Sequence, residues 1–88
     1  IDVAGTLSAD PSEIGAVPVN GFATSDTPGE LFVRRPNEAT PSSATVELGA
    51  GAPRFGFTVT EVGADGEIEL TSDVNATVTL ILPGYFRR

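Results

Sequence analysis

The sequence contains no histidine, cysteine, lysine, methionine or tryptophan. Most enzyme chemistry near neutral pH depends on an imidazole, a thiolate, a lysine amine or a metal ion held by such groups. We therefore expect the chain not to be an enzyme and to need no cofactor. No disulfide bond can stabilise it, because cysteine is absent. A chain that begins at Ile1 and has no methionine is also expected to be processed or excised from a longer precursor.

Length and charge further limit the class of protein and its expected partners. The 88 residues predict one domain, 1–88, with room for a single small core. Twelve acidic residues against five arginines give a net charge of −7, which repels nucleic acids and anionic membranes. No apolar run approaches the roughly 20 residues of a membrane-spanning helix. The expected partners therefore include neither nucleic acid nor a membrane core.

Apolar and polar residues alternate in short runs that are separated by Gly, Pro, Asp and Asn, a pattern typical of an all-β domain. No segment keeps a helical period, so no helix is expected. The fold class predicted is a small antiparallel β-sandwich, Ig-like or jelly-roll-like. Pro18 cannot donate to a strand ladder, and it predicts that its strand is an edge or begins irregularly. The seven predicted strands cover 1–7, 16–24, 30–35, 44–48, 54–62, 67–71 and 76–82.

The alternation is clearest in the last third of the chain. Phe55, Phe57 and Val59 share one face of their predicted strand. The segment 63–66 (Gly-Ala-Asp-Gly) predicts a tight hairpin loop to the next strand. The Asn75-Ala76-Thr77 sequon that follows marks at most a surface position.

Two aromatic residues fall on the faces opposite the aliphatic residues of their own strands. They are Phe22 in the second predicted strand and Phe32 in the third. The aliphatic faces, which are expected to point inward, hold Val17 and Val19 in the second strand and Leu31 and Val33 in the third. If these strands form a hairpin, the two rings meet in an exposed aromatic patch that suits a protein interface or a sugar. The alternative is that both strands are covered on both sides, or that a bulge inverts a face.

Three carboxylates, Asp65, Glu67 and Glu69, occupy alternate positions of the predicted hairpin. Clustered carboxylates are candidate Ca²⁺ ligands, but no D-x-D-x-D-G loop is present, and a solvated strand face explains the same spacing. Asp65 and Glu67 are also the candidates for carboxylate catalysis. Glycosidases need two carboxyls about 5–10 Å apart, one of them with its pKa raised by burial. Exposed strand positions do not provide that burial, so the solvated face is preferred.

Several short motifs run in order through nearly the whole chain: Val3-Ala4-Gly5, Val17-Pro18-Val19-Asn20, Gly29-Glu30-Leu31-Phe32-Val33, Pro41-Ser42-Ser43, Val62-Gly63-Ala64-Asp65-Gly66-Glu67-Ile68 and Leu80-Ile81-Leu82-Pro83-Gly84-Tyr85-Phe86. Together they resemble a secreted β-rich module of actinobacterial surface proteins, which is often carried in tandem or appended to cell-wall hydrolases. The chain departs from that pattern where Ile81 and Leu82 replace an Asp before Gly-Tyr-Phe, and it begins at the V-A-G element, after the family's D-T-R motif. The resemblance implies an extracellular or cell-surface location and a structural or binding role without catalysis.

These features predict a non-catalytic structural module that assembles with copies of itself into a filament or surface layer. Residues 1–7, apolar at alternate positions, are expected to add as a strand to the sheet edge of a neighbouring copy. Tyr85 and Phe86 are expected to close one end of the sandwich. The alternative function is a carbohydrate-binding accessory module of a cell-wall-associated protein, with cell-wall glycan on Phe22 and Phe32. The predicted interface residues are Ile1, Val3, Leu7, Phe22, Phe32, Tyr85 and Phe86.

Overall fold

The computed structural model describes residues 1–38 and 44–88 as two antiparallel sheets with two short helical segments. The small all-β sandwich predicted from the sequence is thereby confirmed. Among these residues, no helix has the length and apolar character needed to cross a membrane. Most of the loop predicted over 36–43, with its Pro41-Ser42-Ser43 motif, lies outside the described residues. The elements are α1 (Val3–Leu7), a 3₁₀ helix (Pro11–Glu13), β1 (Ile14–Ser25), β2 (Gly29–Arg34), β3 (Val46–Leu48), β4 (Arg54–Glu61), β5 (Glu69–Ser72), β6 (Ala76–Ile81) and β7 (Phe86–Arg87).

The longest strand, β1, is the centre of the four-stranded sheet. It pairs with β4 on one side and with β6 and then β7 on the other, whereas β2 is the centre of the three-stranded sheet between β3 and β5. Of the two alternatives predicted from Pro18, the edge position was therefore wrong, whereas the irregular start of the strand is confirmed by the shift in its register between Ile14 and Ala16. Pro18 lies opposite Val59 of β4, and on its other side it falls between Asn20, where pairing with β6 ends, and Ala16, where pairing with β7 begins. The residue that cannot donate thus stands where that ladder is interrupted.

The chain crosses between the two sheets at four of its connections, so most neighbouring strands in sequence do not pair. After β1, β2 begins the other sheet, and the same change occurs after β3, β4 and β5. The tight turn predicted over 63–66 is present, because the Gly63 amide donates to the Glu67 carbonyl at 2.9 Å. It leads from β4 in one sheet to β5 in the other, so the predicted hairpin pairing is wrong.

The core lies between the sheets and is built from the inward positions of each strand. Val17 and Val19 of β1 are fully buried with Ile14 and pack with Val33 of β2 from the other sheet, whereas Leu31 of β2 packs with Ala23, Val46 and Leu48. Two clusters result, one toward the helical end and one toward the β1–β2 turn. The alternation of β1 and β2 predicted Val17, Val19, Leu31 and Val33 on the inward faces, since period-2 patterning places alternate residues on one face. Ile14 lies outside the predicted strand 16–24, and it enters the core because the register shifts between Ile14 and Ala16.

Residues 1–7 do not form the predicted strand. Asp2 caps α1, since its carboxylate accepts a hydrogen bond from the Gly5 amide at 2.9 Å. The charged amino group of Ile1 donates to the Ile68 carbonyl at 2.9 Å, and the Val3 amide donates to the Gly66 carbonyl at 3.0 Å. Apolar residues at positions 3, 4 and 7 suit a helical face as well as a strand face, and the cap selects the helix. In this structure the segment is therefore a helix that is bonded to its own chain.

Candidate interaction surface

The outer face of the four-stranded sheet is apolar. Residues that lie directly opposite each other in a sheet share one face, and this register places Phe22 beside Phe55, and Asn20 between Phe57 and Ile81. Farther along β1, Ala16 lies between Glu61 and Phe86. We call this surface the apolar face and define it by six side chains: Phe22, Phe55, Phe57, Val59, Ile81 and Phe86.

These side chains are exposed to an extent that is unusual for their type. A single exposed apolar side chain needs no explanation, but contiguous ones mark interaction sites. The six lie on adjacent strands of one sheet and therefore form one surface rather than scattered points. Their exposed fractions are 75% for Phe55, 61% for Phe57, 57% for Ile81 and Phe86, 50% for Val59 and 36% for Phe22.

The two outer faces of the sandwich differ sharply in charge. Outward positions of the three-stranded sheet include the facing pairs Glu30–Glu47 and Arg34–Glu69. On the four-stranded sheet, the outward positions of β1, β4, β6 and β7 hold one charged residue, Glu61, at the end of β4. Its carboxylate is already paired with the Arg35 guanidinium at 2.9 Å. The outer face of the three-stranded sheet therefore has the charges typical of a solvated sheet, whereas the outer face of the four-stranded sheet has almost none.

A close backbone approach explains why the aromatic residues of β4 point outward. The inward positions of β4 hold Gly56, Thr58 and Thr60, which lie opposite inward-facing residues of β1. A side chain at Gly56 would collide with the Thr45 carbonyl oxygen, because β4 passes directly over the chain that enters β3. Small residues are therefore required inside, and the large residues that alternate with them face out.

The structure separates the two aromatic residues that were predicted to form a patch. Phe22 lies on the apolar face, whereas Phe32 is half-buried on the outer face of the three-stranded sheet, opposite Thr71. The prediction that they meet was wrong, because β1 and β2 belong to different sheets. The aromatic neighbour of Phe22 is Phe55 instead, with ring centroids 4.9 Å apart.

The other predicted interface residues are distributed between core and surface. Val3 is fully buried and Leu7 is half-buried, so Val3 is inaccessible to a partner, whereas Ile1 is 45% exposed. Tyr85 packs against the core, as expected of a residue that closes the end of the sandwich. Phe86 does not close that end, because its side chain lies on the apolar face.

The three candidate calcium ligands do not form one site. Glu69 is engaged by Arg34, with a guanidinium nitrogen 2.9 Å from its carboxylate. Asp65 and Glu67 lie side by side, and a shared hydrogen bond together with the repulsion between their charges raises the pKa of Glu67 above its ordinary value. Within residues 1–38 and 44–88, no group of three or more carboxylates is arranged to hold a metal ion. The solvated-face interpretation fits this geometry.

Comparisons with known protein families, curated proteins and solved structures give no match to this chain. Four of the six side chains of the apolar face, Phe55, Phe57, Val59 and Ile81, were not among the residues predicted for an interface. The alternation of β4 did place three of them on one face. The sequence feature that indicates an outward face is the small size of the alternating residues on the opposite side, Gly56, Thr58 and Thr60. Small residues on that side allow the other sheet to approach closely.

Proposed function

We propose that this chain is a non-catalytic structural module of an extracellular or cell-surface protein, and that it associates with copies of itself. The observation that carries the proposal is the apolar face, which is large, contiguous and almost free of charge. Contiguous apolar patches rimmed by polar residues mark protein interaction sites. The extracellular location rests on the motifs that resemble secreted surface modules.

The charge distribution supports association between copies. A chain of net charge −7 repels its own kind, and a contact through the three-stranded sheet would bring Glu30 and Glu47 of two copies toward each other. The apolar face avoids this cost, because Glu61 is paired with Arg35 and lies at one end. A contact through the apolar face therefore brings fewer like charges together than a contact through the three-stranded sheet.

The placement of the acidic residues supports a non-catalytic role. Carboxylate catalysis needs a buried acid and a partner across a cleft that excludes water. Asp65 and Glu67 are adjacent at a solvent-accessible turn, and Glu69 is held by Arg34. Substituting both Asp65 and Glu67 with amides is expected to leave the self-association of the module unchanged.

The test is the mass of the chain in solution as a function of concentration. We expect sedimentation equilibrium to give an average mass that rises above 9.0 kDa as concentration increases. Added salt should strengthen the association, because it screens the repulsion between acidic copies. A mass that stays at 9.0 kDa throughout the accessible concentrations would contradict self-association.

Carbohydrate binding is the second candidate, and the composition of the same face favours it. The Phe22–Phe55 pair offers ring surface for a sugar, with the polar side chains of Asn20 and Thr79 beside it. In that case the isolated chain is a monomer retained on cell-wall glycan. Retention should be lost in Phe55→Ala and kept in Phe32→Ala, whose ring lies on the opposite side of the sandwich.

A further inference from the structure

We infer that two copies of the chain stack apolar face against apolar face about a two-fold axis and form a closed dimer. This rests on the proposed self-association and specifies its partner surface, symmetry and stoichiometry. It replaces strand addition by residues 1–7, because that segment is a helix bonded to its own chain. It also replaces the open filament, for the reason that follows.

Residues 1–38 and 44–88 offer one exposed apolar surface, and this decides the symmetry of the proposed dimer. Of the seven large apolar side chains that are exposed among the described residues, six belong to the apolar face and the seventh is Ile1 at the helical end. Residues 39–43 are Ala-Thr-Pro-Ser-Ser and add no large apolar side chain. A head-to-tail filament needs two different complementary patches, whereas a patch that pairs with itself gives a two-fold interface that closes at two copies.

The area of the face is sufficient for such a dimer. With about 200 Å² for a whole phenylalanine side chain, the exposed parts of the six side chains amount to roughly 600 Å² on each copy. The intervening residues Ala16, Pro18, Asn20 and Thr79 lie on the same face and add to this. Specific interfaces bury about 800 Å² per partner and rarely less than about 500 Å². The face therefore falls within the range of a standard interface.

The geometry of stacked sheets fits the surface. Two antiparallel sheets pack face to face about 10 Å apart with their strands within about 30° of each other, and alternate side chains interdigitate between them. The apolar face belongs to the sheet built on the 12-residue strand β1, so a second copy can align along its length. Stacking covers the exposed phenylalanines and leaves the charged ends of both copies in water.

A polar side chain near the middle of the face has a role in this arrangement. Asn20 lies between Phe57 and Ile81 on the central strand. A two-fold axis through the middle of the face brings Asn20 of both copies together, and each amide can donate one hydrogen bond and accept one. A polar pair inside an apolar interface favours one register over the alternatives.

The experiment compares two substitutions that add the same charge at different places. Phe57→Glu places a carboxylate in the middle of the apolar face, and the two-fold axis brings the carboxylates of both copies into the same interface. Ala64→Glu adds the same charge at an exposed turn outside that face. We expect the wild type and Ala64→Glu to form a species of twice 9.0 kDa that grows no further with concentration. In Phe57→Glu, the dimer dissociation constant should rise at least about 100-fold. Far-UV circular dichroism checks that the variant is folded.

A second measurement reports the covered surface directly. The chain has no cysteine, so a single introduced thiol is unique. The thiol of Thr79→Cys lies on the apolar face, and its reaction with a thiol reagent should slow at concentrations where the dimer forms. The thiol of Ala64→Cys should react at one rate at all concentrations.

The outcomes separate the two proposals. A discrete dimer that Phe57→Glu dissociates, with the Thr79→Cys thiol protected, supports the face-to-face arrangement. Association that persists in Phe57→Glu, or that continues to grow beyond two copies, overturns the face-to-face dimer and leaves self-association in place. A wild-type chain that remains at 9.0 kDa overturns both.

Discussion

Phe22 of β1 and Phe55 of β4 lie directly opposite each other, with their ring centroids 4.9 Å apart and their planes inclined by 55°. Both rings are on the outside of the sandwich, so the pair stabilises the β1–β4 contact without belonging to the core. Tilted aromatic pairs contribute about 0.5–1.5 kcal/mol beyond the area that they bury. The pair therefore joins two strands of the sheet that carries the apolar face.

A double-mutant cycle measures this contact. Phe22→Ala and Phe55→Ala should each lower the free energy of unfolding, and the double variant should lose about 0.5–1.5 kcal/mol less than the sum of the two. Urea unfolding at concentrations where the chain is monomeric gives the values. Strictly additive losses would show that the two rings do not interact in solution.

Two isoleucines distinguish the core from the apolar face. Ile68 is fully buried between the sheets, whereas Ile81 is 57% exposed. Ile68→Ala should lower the free energy of unfolding by about 2–5 kcal/mol, because it removes packed atoms and leaves a cavity. Ile81→Ala should cost the monomer less than about 1 kcal/mol and should instead weaken self-association. Urea unfolding and sedimentation of both variants check this, and equal losses of stability would contradict the assignment of the two faces.

The positions of the strands could be predicted from the sequence better than the pairing between them. Period-2 alternation located six of the strands to within a few residues, and it placed Val17, Val19, Leu31 and Val33 inside. It could not show that β1 and β2 lie in different sheets, because a local turn signal such as 25–29 is the same for a hairpin and for a crossing between sheets. The predicted Phe22–Phe32 patch failed for that reason.

The position of the apolar face could not be predicted from alternation alone. The pattern of β4 divides its residues into two faces, but which face points inward depends on how closely the other sheet approaches. Gly56 beside the Thr45 carbonyl decides this, and that contact joins residues 11 positions apart in different elements. The N-terminal helix was missed for a related reason, since five residues are too few for a helical period to be distinguished from a strand.

Two glycines test the close approach between β4 and β3. A methyl group at Gly56 would overlap the Thr45 carbonyl oxygen, whereas no atom lies within 4 Å of the corresponding position at Gly84. Gly56→Ala should therefore destabilise the fold by about 1–3 kcal/mol or more, because backbone has to move. Gly84→Ala should be neutral or slightly stabilising, since it restricts the unfolded chain. Thermal or urea unfolding compares them, and a tolerated Gly56→Ala would show that the sheets are farther apart at this point.

The cap of α1 provides a test of the N-terminal segment. Asp2→Ala removes the acceptor for the Gly5 amide and should lower the free energy of unfolding by about 0.5–2 kcal/mol. Asp2→Asn is the matched control, because asparagine caps helices about as well as aspartate. Urea unfolding of the three proteins gives the comparison. If Asp2→Ala were as stable as the wild type, residues 3–7 would not be held as a capped helix.

The neighbouring carboxylates Asp65 and Glu67 predict a pH dependence of stability. Their shared hydrogen bond and mutual repulsion raise the pKa of Glu67 in the folded chain above its ordinary value of 4.5. The folded state therefore binds this proton more tightly than the unfolded state does. The resulting contribution of Glu67 to the free energy of unfolding is present below pH 4.5 and is lost as pH rises through the raised pKa. Glu67→Gln cannot lose that proton.

The free energy of unfolding of Glu67→Gln relative to the wild type should consequently increase as pH rises through this window and then become constant. Urea unfolding of both proteins in steps from about pH 4 to pH 7 measures the difference. The Ser12 amide and hydroxyl donate hydrogen bonds to the Asp10 carboxylate and lower its pKa. The contribution of Asp10 to the free energy of unfolding is therefore lost only as pH falls below 3.8, which is outside this range. Parallel curves for the two proteins would mean that the Asp65 and Glu67 side chains do not share a proton in the folded chain.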